Sequence, residues 1–320
     1  VKRETLTNPH LRAMQKRALV LSLVPAAGFA LALATLPWHR PTRLELALLA
    51  VTYLFNSIGI EVGFHRYFSH QAFRARRGLR IALAILGSSA AQGHVTYWVS
   101  LHRRHHKYSD RPGDPHSPHF RGEEPLRGLR GFWHGHSGWI MDKDITNPVV
   151  FARDLLGDRD IVWLNRYNVV WVTLGLLIPA LAVGWNAGIV AVLYALLWTG
   201  LVRLFLVHQA IFAINSLCHM FGSTPFAGLG RSTNNVWLVI PSLGGAWHNN
   251  HHAFPRSALT GVSSWQFDPG FWVIRVFVWL RLADQVQRPT AAQVYARHEA
   301  NASRLEAAAA DQVAVGELDY

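Results

Sequence analysis

The chain has 320 residues, 50% of them hydrophobic and only 16% charged, with 31 basic against 19 acidic side chains and a formal net charge of +12. Soluble domains carry about 25% charged residues, so the composition argues against an ordinary soluble protein and against a disordered chain. The single cysteine, Cys218, leaves no disulfide within the chain and suits a reducing cytoplasmic face.

In chain order, apolar stretches of the length needed to cross a bilayer, about 20 residues, run at about 18–37 and 44–64, and again at about 169–184 and 189–214. The first does not read as a cleavable signal, because it runs to Pro37 without a small-residue cleavage pattern and a second span follows. A further stretch, about 79–99, is apolar enough to span but contains Ser88, Ser89, Gln92 and His94. Histidines follow both it and the 44–64 span. A crossing at 79–99 would put those histidines on opposite faces, so this stretch is expected to lie as an interfacial or re-entrant helix. The expected fold is all-α and integral to the membrane. Four transmembrane helices carry a cytosolic helical cap with the histidines, in one domain over residues 1–288. The tail, 289–320, is expected to be a loosely docked helix that frays.

Lys and Arg crowd residues 66–166 and the N-terminal arm, while the loop Gly184–Gly188 has none. The positive-inside rule then places both termini and the histidines on the cytoplasmic side of a multi-pass protein. The net positive charge reads as attraction to anionic membrane lipid and to an acidic partner. No separate basic domain with interleaved aromatics points to nucleic acid.

The histidines are spaced. The chain reads His65-Arg-Tyr-Phe-Ser-His70, His102-Arg-Arg-His105-His106, Asn215-Ser-Leu-Cys-His219 and His248-Asn-Asn-His251-His252. On a helix, residues three and four apart share a face, which groups His102, His105 and His106, groups His248, His251 and His252, and pairs Asn215 with His219. His65 and His70 are five apart and share no α-helical face; they need a helix end, a turn, or two different metals to serve. Neutral imidazole binds iron, zinc and copper, and the clusters hold more nitrogens than one ion can use. An all-nitrogen site does not suit magnesium or calcium. Four ligands would suffice for structural zinc, and no Glu-x-x-His repeats of the carboxylate di-iron bundles are present. What remains is a histidine-rich di-iron centre that reduces dioxygen and attacks an unactivated C–H bond. Asp110, Asp114 and Glu61, the last four residues before His65, are candidates to orient ligand imidazoles. Arg74, Arg76, Arg77 and Arg80 are candidates to hold the phosphate-bearing part of a substrate; the competing role is anchoring to anionic lipid.

These segments, with Trp98, Gly113-Asp-Pro-His-Ser-Pro118, Gly138-Trp139 and Trp247 to Pro255, resemble the membrane fatty acid desaturase family, in particular the bacterial branch of its acyl-CoA (stearoyl-CoA) type, over about residues 45–285. The resemblance implies two irons held by His65, His70, His102, His105, His106, His219, His248, His251 and His252, with Asn215 acting through a water. It implies O2 as co-substrate, a fatty acyl substrate in a kinked tunnel walled by Trp98 and Trp139, and a cis double bond as product. It also implies the bacterial inner membrane, and electrons from a separate ferredoxin, rubredoxin or cytochrome b5-like donor with its reductase. One departure stands out. The animal enzymes place an Arg-Asp pair before the second box, where this chain has Ser100 and Leu101, which leaves acyl carrier protein or phospholipid open as the carrier beside CoA. Hydroxylase, acetylenase and terminal-alkene-forming chemistry begin with the same C–H cleavage. A membrane metal transporter would place its ligands inside the spans, whereas these histidines fall at or beyond span ends. A non-catalytic lipid-binding protein has no use for so complete a ligand set.

Overall fold

The computed structural model describes residues 4–6, 9–142, 144–226 and 230–300. It is built from helices, joined by three two-residue strand pairs that only clip loops together. The first helix, α1, spans Pro9–Thr35. Thr42 starts the next, α2 (Arg43–Ser69), with a capping box in which its side chain accepts from the Glu45 N–H and Glu45 reaches back to the Thr42 N–H.

The stretch expected to lie in the interface is broken. Helix α3 covers Arg77–Ser88 and α4 covers Val95–Tyr108, with His94 capping α4 by accepting from the Tyr97 N–H. No unbroken helix crosses 79–99. Helix α3 packs on α2 at very close range: a Cβ on Gly59 would lie 2.1 Å from the Gly87 nitrogen. Small residues permit such a crossing, as they do in membrane bundles.

Helix α5 (Gly128–His136) lies in the segment after α4. Helix α6 (Arg159–Arg166) meets α7 (Asn168–Gly184) at a 61° bend, and α8 runs from Ile189 to His219. Two short elements complete the cap, α9 (His248–Ala253) and α10 (Pro269–Trp279). Residues 291–300 are helical, and Arg297 donates to the Ala253 carbonyl at 3.3 Å, so this part of the tail docks on the last histidine segment; 301–320 lie outside the described residues.

The expectation of four spans is met in part. Among the described residues two helices, α2 and α8, are long and apolar enough to cross a membrane, and the bent α6–α7 pair makes a third if it counts as one span. Helix α1 has 27 residues, and its Leu19–Thr35 part is a further apolar stretch. Helix α8 has 31 residues, about 46 Å against a hydrocarbon core of about 30 Å. Its length exceeds that of a membrane-depth segment, and Asn215 and His219 lie at its C-terminal end.

Candidate metal centre and acyl cavity

The end of α2 resolves the five-residue spacing. Residues Ile58–Ser69 wind in wide turns, and the His70 N–H donates to the His65 carbonyl at 3.2 Å, an i→i+5 bond. That winding is rare and found mostly at functional sites. It brings the His65 and His70 rings to 5.1 Å between centroids. Helix α4 contributes His102, His105 and His106, the last turn of α8 contributes His219, and α9 contributes His248, His251 and His252.

All nine converge, in two groups. His65, His70, His102, His106 and His251 form one; His105, His219, His248 and His252 form the other; within each, the ligand atoms lie within 4.8 Å of one another. The division cuts through both His-x-x-His-His segments. On α4 the i,i+4 pair His102 and His106 joins the first group while His105 turns to the second. On α9 the i,i+4 pair His248 and His252 joins the second while His251 turns to the first. Adjacent histidines point about 100° apart on a helix, so each segment serves both groups.

The nitrogens face each other rather than hydrogen-bond partners. Nε2 to Nε2 distances are 3.0 Å for His65 to His251, 2.8 Å for His70 to His102 and 2.9 Å for His106 to His251. In the second group they are 2.9 Å for His219 to His248, 3.0 Å for His248 to His252 and 3.3 Å for His105 to His252. Nitrogens bound about 2.05 Å from one ion stand about 2.9 Å apart at a right angle and about 3.3 Å apart at a tetrahedral angle. The donor set therefore fits a metal ion in each group.

Carboxylates fix the tautomers. Nδ1 of His65 meets Glu61 Oε2 at 3.0 Å, Nδ1 of His105 meets Asp114 Oδ2 at 3.0 Å, and Nδ1 of His219 meets Asp110 Oδ2 at 2.7 Å. An Nδ1–H given to a carboxylate leaves Nε2 as a bare lone pair. Burial, then the neighbouring imidazoles, hold His70, His102, His106, His248, His251 and His252 well below the usual histidine range, so they present neutral nitrogens. Burial alone would raise Asp110 and Asp114. The adjacent imidazole of His219 or His105 outweighs it and holds each below the carboxylate range.

Several supporting residues were not legible in the sequence. Arg66, 1% exposed, donates to Glu61 Oε1 at 3.1 Å and to Asp268 at 2.9 and 3.0 Å. It neutralises the carboxylate that holds His65. Asn234 Oδ1 accepts from the Asn249 and Asn250 N–H groups at 3.0 and 3.2 Å and so fixes the start of α9. Buried His116 stacks on His105 at 4.4 Å, and burial pushes it down to about 3. Only two signals hinted at these: a charge beside a histidine in an apolar run, and asparagines inside the last histidine segment.

Two cavities flank the centre. One is apolar and lined by Trp98, His102, His116, Trp139, Phe212 and Asn215, among others; Trp98 stacks on His102 at 5.1 Å. His208 reaches its wall and also bonds the Ala90 carbonyl at 2.8 Å. The other is open and polar, with His70, His106 and His252 beside Arg103, Lys107, Arg111 and Arg256. The arginine run borders an adjoining cavity, which shares Gln71, Asp154 and Arg256 with the polar one. Arg77 pairs with Asp160 at 2.8 Å and Arg80 with Asp158 at 2.6 Å, both on or next to α6. Arg74 and Arg80 line this third cavity, and Arg76 is exposed.

The fatty acid desaturase family model matches residues 41–278, which include every one of these histidines. The chain belongs to the fatty acid desaturase family. It is similar to a hex-5-enoyl-[acyl-carrier protein] acetylenase of Moorena producens, 42% identical over 92% of this chain and 94% of that one. Delta-9 acyl-lipid desaturase 2 of Arabidopsis thaliana is 35% identical over 76% of each chain. The icosanoyl-CoA 5-desaturase of Limnanthes douglasii is 34% identical over 74% of this chain and 63% of its own. Desaturases and acetylenases are oxidoreductases, and so is this family member, acting on fatty acyl chains.

Proposed function

We propose that the protein is an O2-dependent desaturase of a fatty acyl thioester, with CoA as the first carrier to test. The observation that carries this is the convergence of nine imidazole nitrogens in two groups beside an apolar cavity. In this reading two iron ions sit one per group, and a water held by Asn215 completes the set. The irons supply the oxidising power when bound. The reaction converts –CH2–CH2–, O2, two electrons and two protons into –CH=CH– and two waters. The electrons come from a ferredoxin, rubredoxin or cytochrome b5-like donor served by its reductase.

The chain's own residues prepare the reaction. Glu61, Asp110 and Asp114 hold the Nδ1 protons of His65, His219 and His105 and keep Nε2 free. Trp98 and Trp139 wall the cavity in which an alkyl chain would lie beside His102. Apolar walls exclude water from the reacting carbons. The protein is multi-pass, in the bacterial inner membrane, with this centre on the cytoplasmic side.

A second reading is favoured by the acetylenase, which is similar over nearly the full length of both chains: oxidation of an alkene to an alkyne on an acyl carrier protein. Purified protein loaded with iron and supplied with a reductase system decides between them. It is offered matched saturated and unsaturated acyl-CoA and acyl carrier protein thioesters, and products are read by mass spectrometry. A new alkene from a saturated thioester is expected. Oxygen consumption without an altered acyl chain would overturn both readings.

A further inference from the structure

The apolar cavity borders a second one that carries charged side chains. The second is lined by Arg104, Asp114, Arg121, Asp142 and Asp144, and the two share Tyr97, Leu101, Trp139 and Ile140. These four residues form the threshold between a polar mouth and an apolar interior. Trp139 lies on the short turn Gly138–Met141. Its ring stands edge-on to Phe212 at 6.1 Å and tilted against His116 at 5.9 Å. The indole Nε1 is buried and has no hydrogen-bond partner among the described residues. Indole N–H is a donor only, and a buried donor without a partner is rare because it loses its hydration for nothing. Phe212 and His116 flank the ring, which leaves the N–H as a donor for a bound molecule.

We infer that Trp139 Nε1 donates to the thioester carbonyl of the substrate and so sets which carbons meet the metal centre. An acyl thioester is polar up to its carbonyl and apolar beyond it. Lying across the threshold, it has its carbonyl at the boundary, where Trp139 stands. Fixing that oxygen fixes the register of the chain, since each carbon further advances a zigzag chain by about 1.25 Å. Trp139 is a positioning residue that makes oxidation fall on one bond.

This inference rests on the acyl-thioester reading. The test uses the purified protein in detergent, with acyl-pantetheines of six and sixteen carbons and their S-alkyl thioether analogues, which lack the carbonyl; pantetheine is common to CoA and acyl carrier protein. Calorimetry should show the wild type binding thioester about tenfold more tightly than thioether. Trp139→Phe keeps the ring, removes the N–H and should bring that ratio to about one by weakening thioester binding alone. Turnover by the variant should spread the new double bond over neighbouring positions. Should the variant fail to insert, the wild-type ratio still decides. An equal affinity for the two analogues in the wild type, or an unchanged ratio in Trp139→Phe, overturns the inference and leaves the acyl reading standing. Binding of neither analogue overturns both.

Discussion

The two nitrogen groups are built from the same segments yet supported differently. The five-histidine group has one carboxylate behind it, Glu61, which is shared with Arg66. The four-histidine group has two, Asp110 and Asp114, linked by the Asp110 N–H donating to Asp114 Oδ2 at 2.8 Å. Asp110 takes a φ of 57° to do this, a left-handed conformation that aspartate tolerates better than most residues. Ligand number and carboxylate support thus run in opposite directions. A carboxylate behind an imidazole raises its basicity, so the group with fewer nitrogens holds stronger ones. One site relies on count and the other on charge.

The largest effects should come from removing a nitrogen. His251→Ala opens the five-histidine group and His248→Ala the four-histidine group; each should abolish product formation and lower bound metal from two ions towards one. Elemental analysis per protein molecule checks this. Loss of both ions from either variant would show that the groups do not act as separate sites.

Removing a carboxylate should cost less and should separate the groups more sharply. Asp110→Asn and Asp114→Asn should weaken metal binding about 10- to 100-fold. Glu61→Gln should weaken it less, because Arg66 already draws on Glu61. Chelator competition gives the order, and a Glu61→Gln variant weaker than Asp110→Asn would reverse the comparison.

Metal-free protein should be sensitive to mild acid. His70, His102, His106, His248, His251 and His252 have folded-state affinities for protons well below the ordinary value. The unfolded chain takes up protons near pH 6.5 that the folded chain does not, so stability is present above that pH and falls below it. Asp110 and Asp114 also have lowered values, and their contribution is lost only at pH below the carboxylate range. Melting temperatures of the metal-free protein between pH 7.5 and 5.5 should fall steadily; a flat profile contradicts the buried neutral cluster.

The smallest effect is expected from the arginine run. Arg77 is exposed and paired with Asp160, and water screens exposed ion pairs so that they contribute little. Arg76→Gln with Arg77→Gln should leave metal content unchanged and the Michaelis constant within about twofold. A larger rise on any acyl carrier would return the phosphate-bearing end of the substrate to this surface.

The histidine spacing and the order of the apolar stretches were legible, because helical periodicity and membrane length act on neighbours in the chain; the break within 79–99 was not, since that stretch reads as one interfacial helix. The three- and four-residue spacing grouped all three histidines of α4 and all three of α9. It did not separate His105 from His106 or His251 from His252, since the sorting depends on which imidazole each one meets across the interface. Nor could spacing alone join His65 to His70; the wide turns that do so are sustained by α3 packed against α2. Asp268 reaches Arg66 across 202 residues of chain and Asn234 reaches Asn249 across 15, and no local pattern encodes such partners. Residue types and their periods thus determined the chemistry available. Tertiary contacts decided how the nine nitrogens divide, because each group is closed by side chains from three separate segments, and only packing sets their distances.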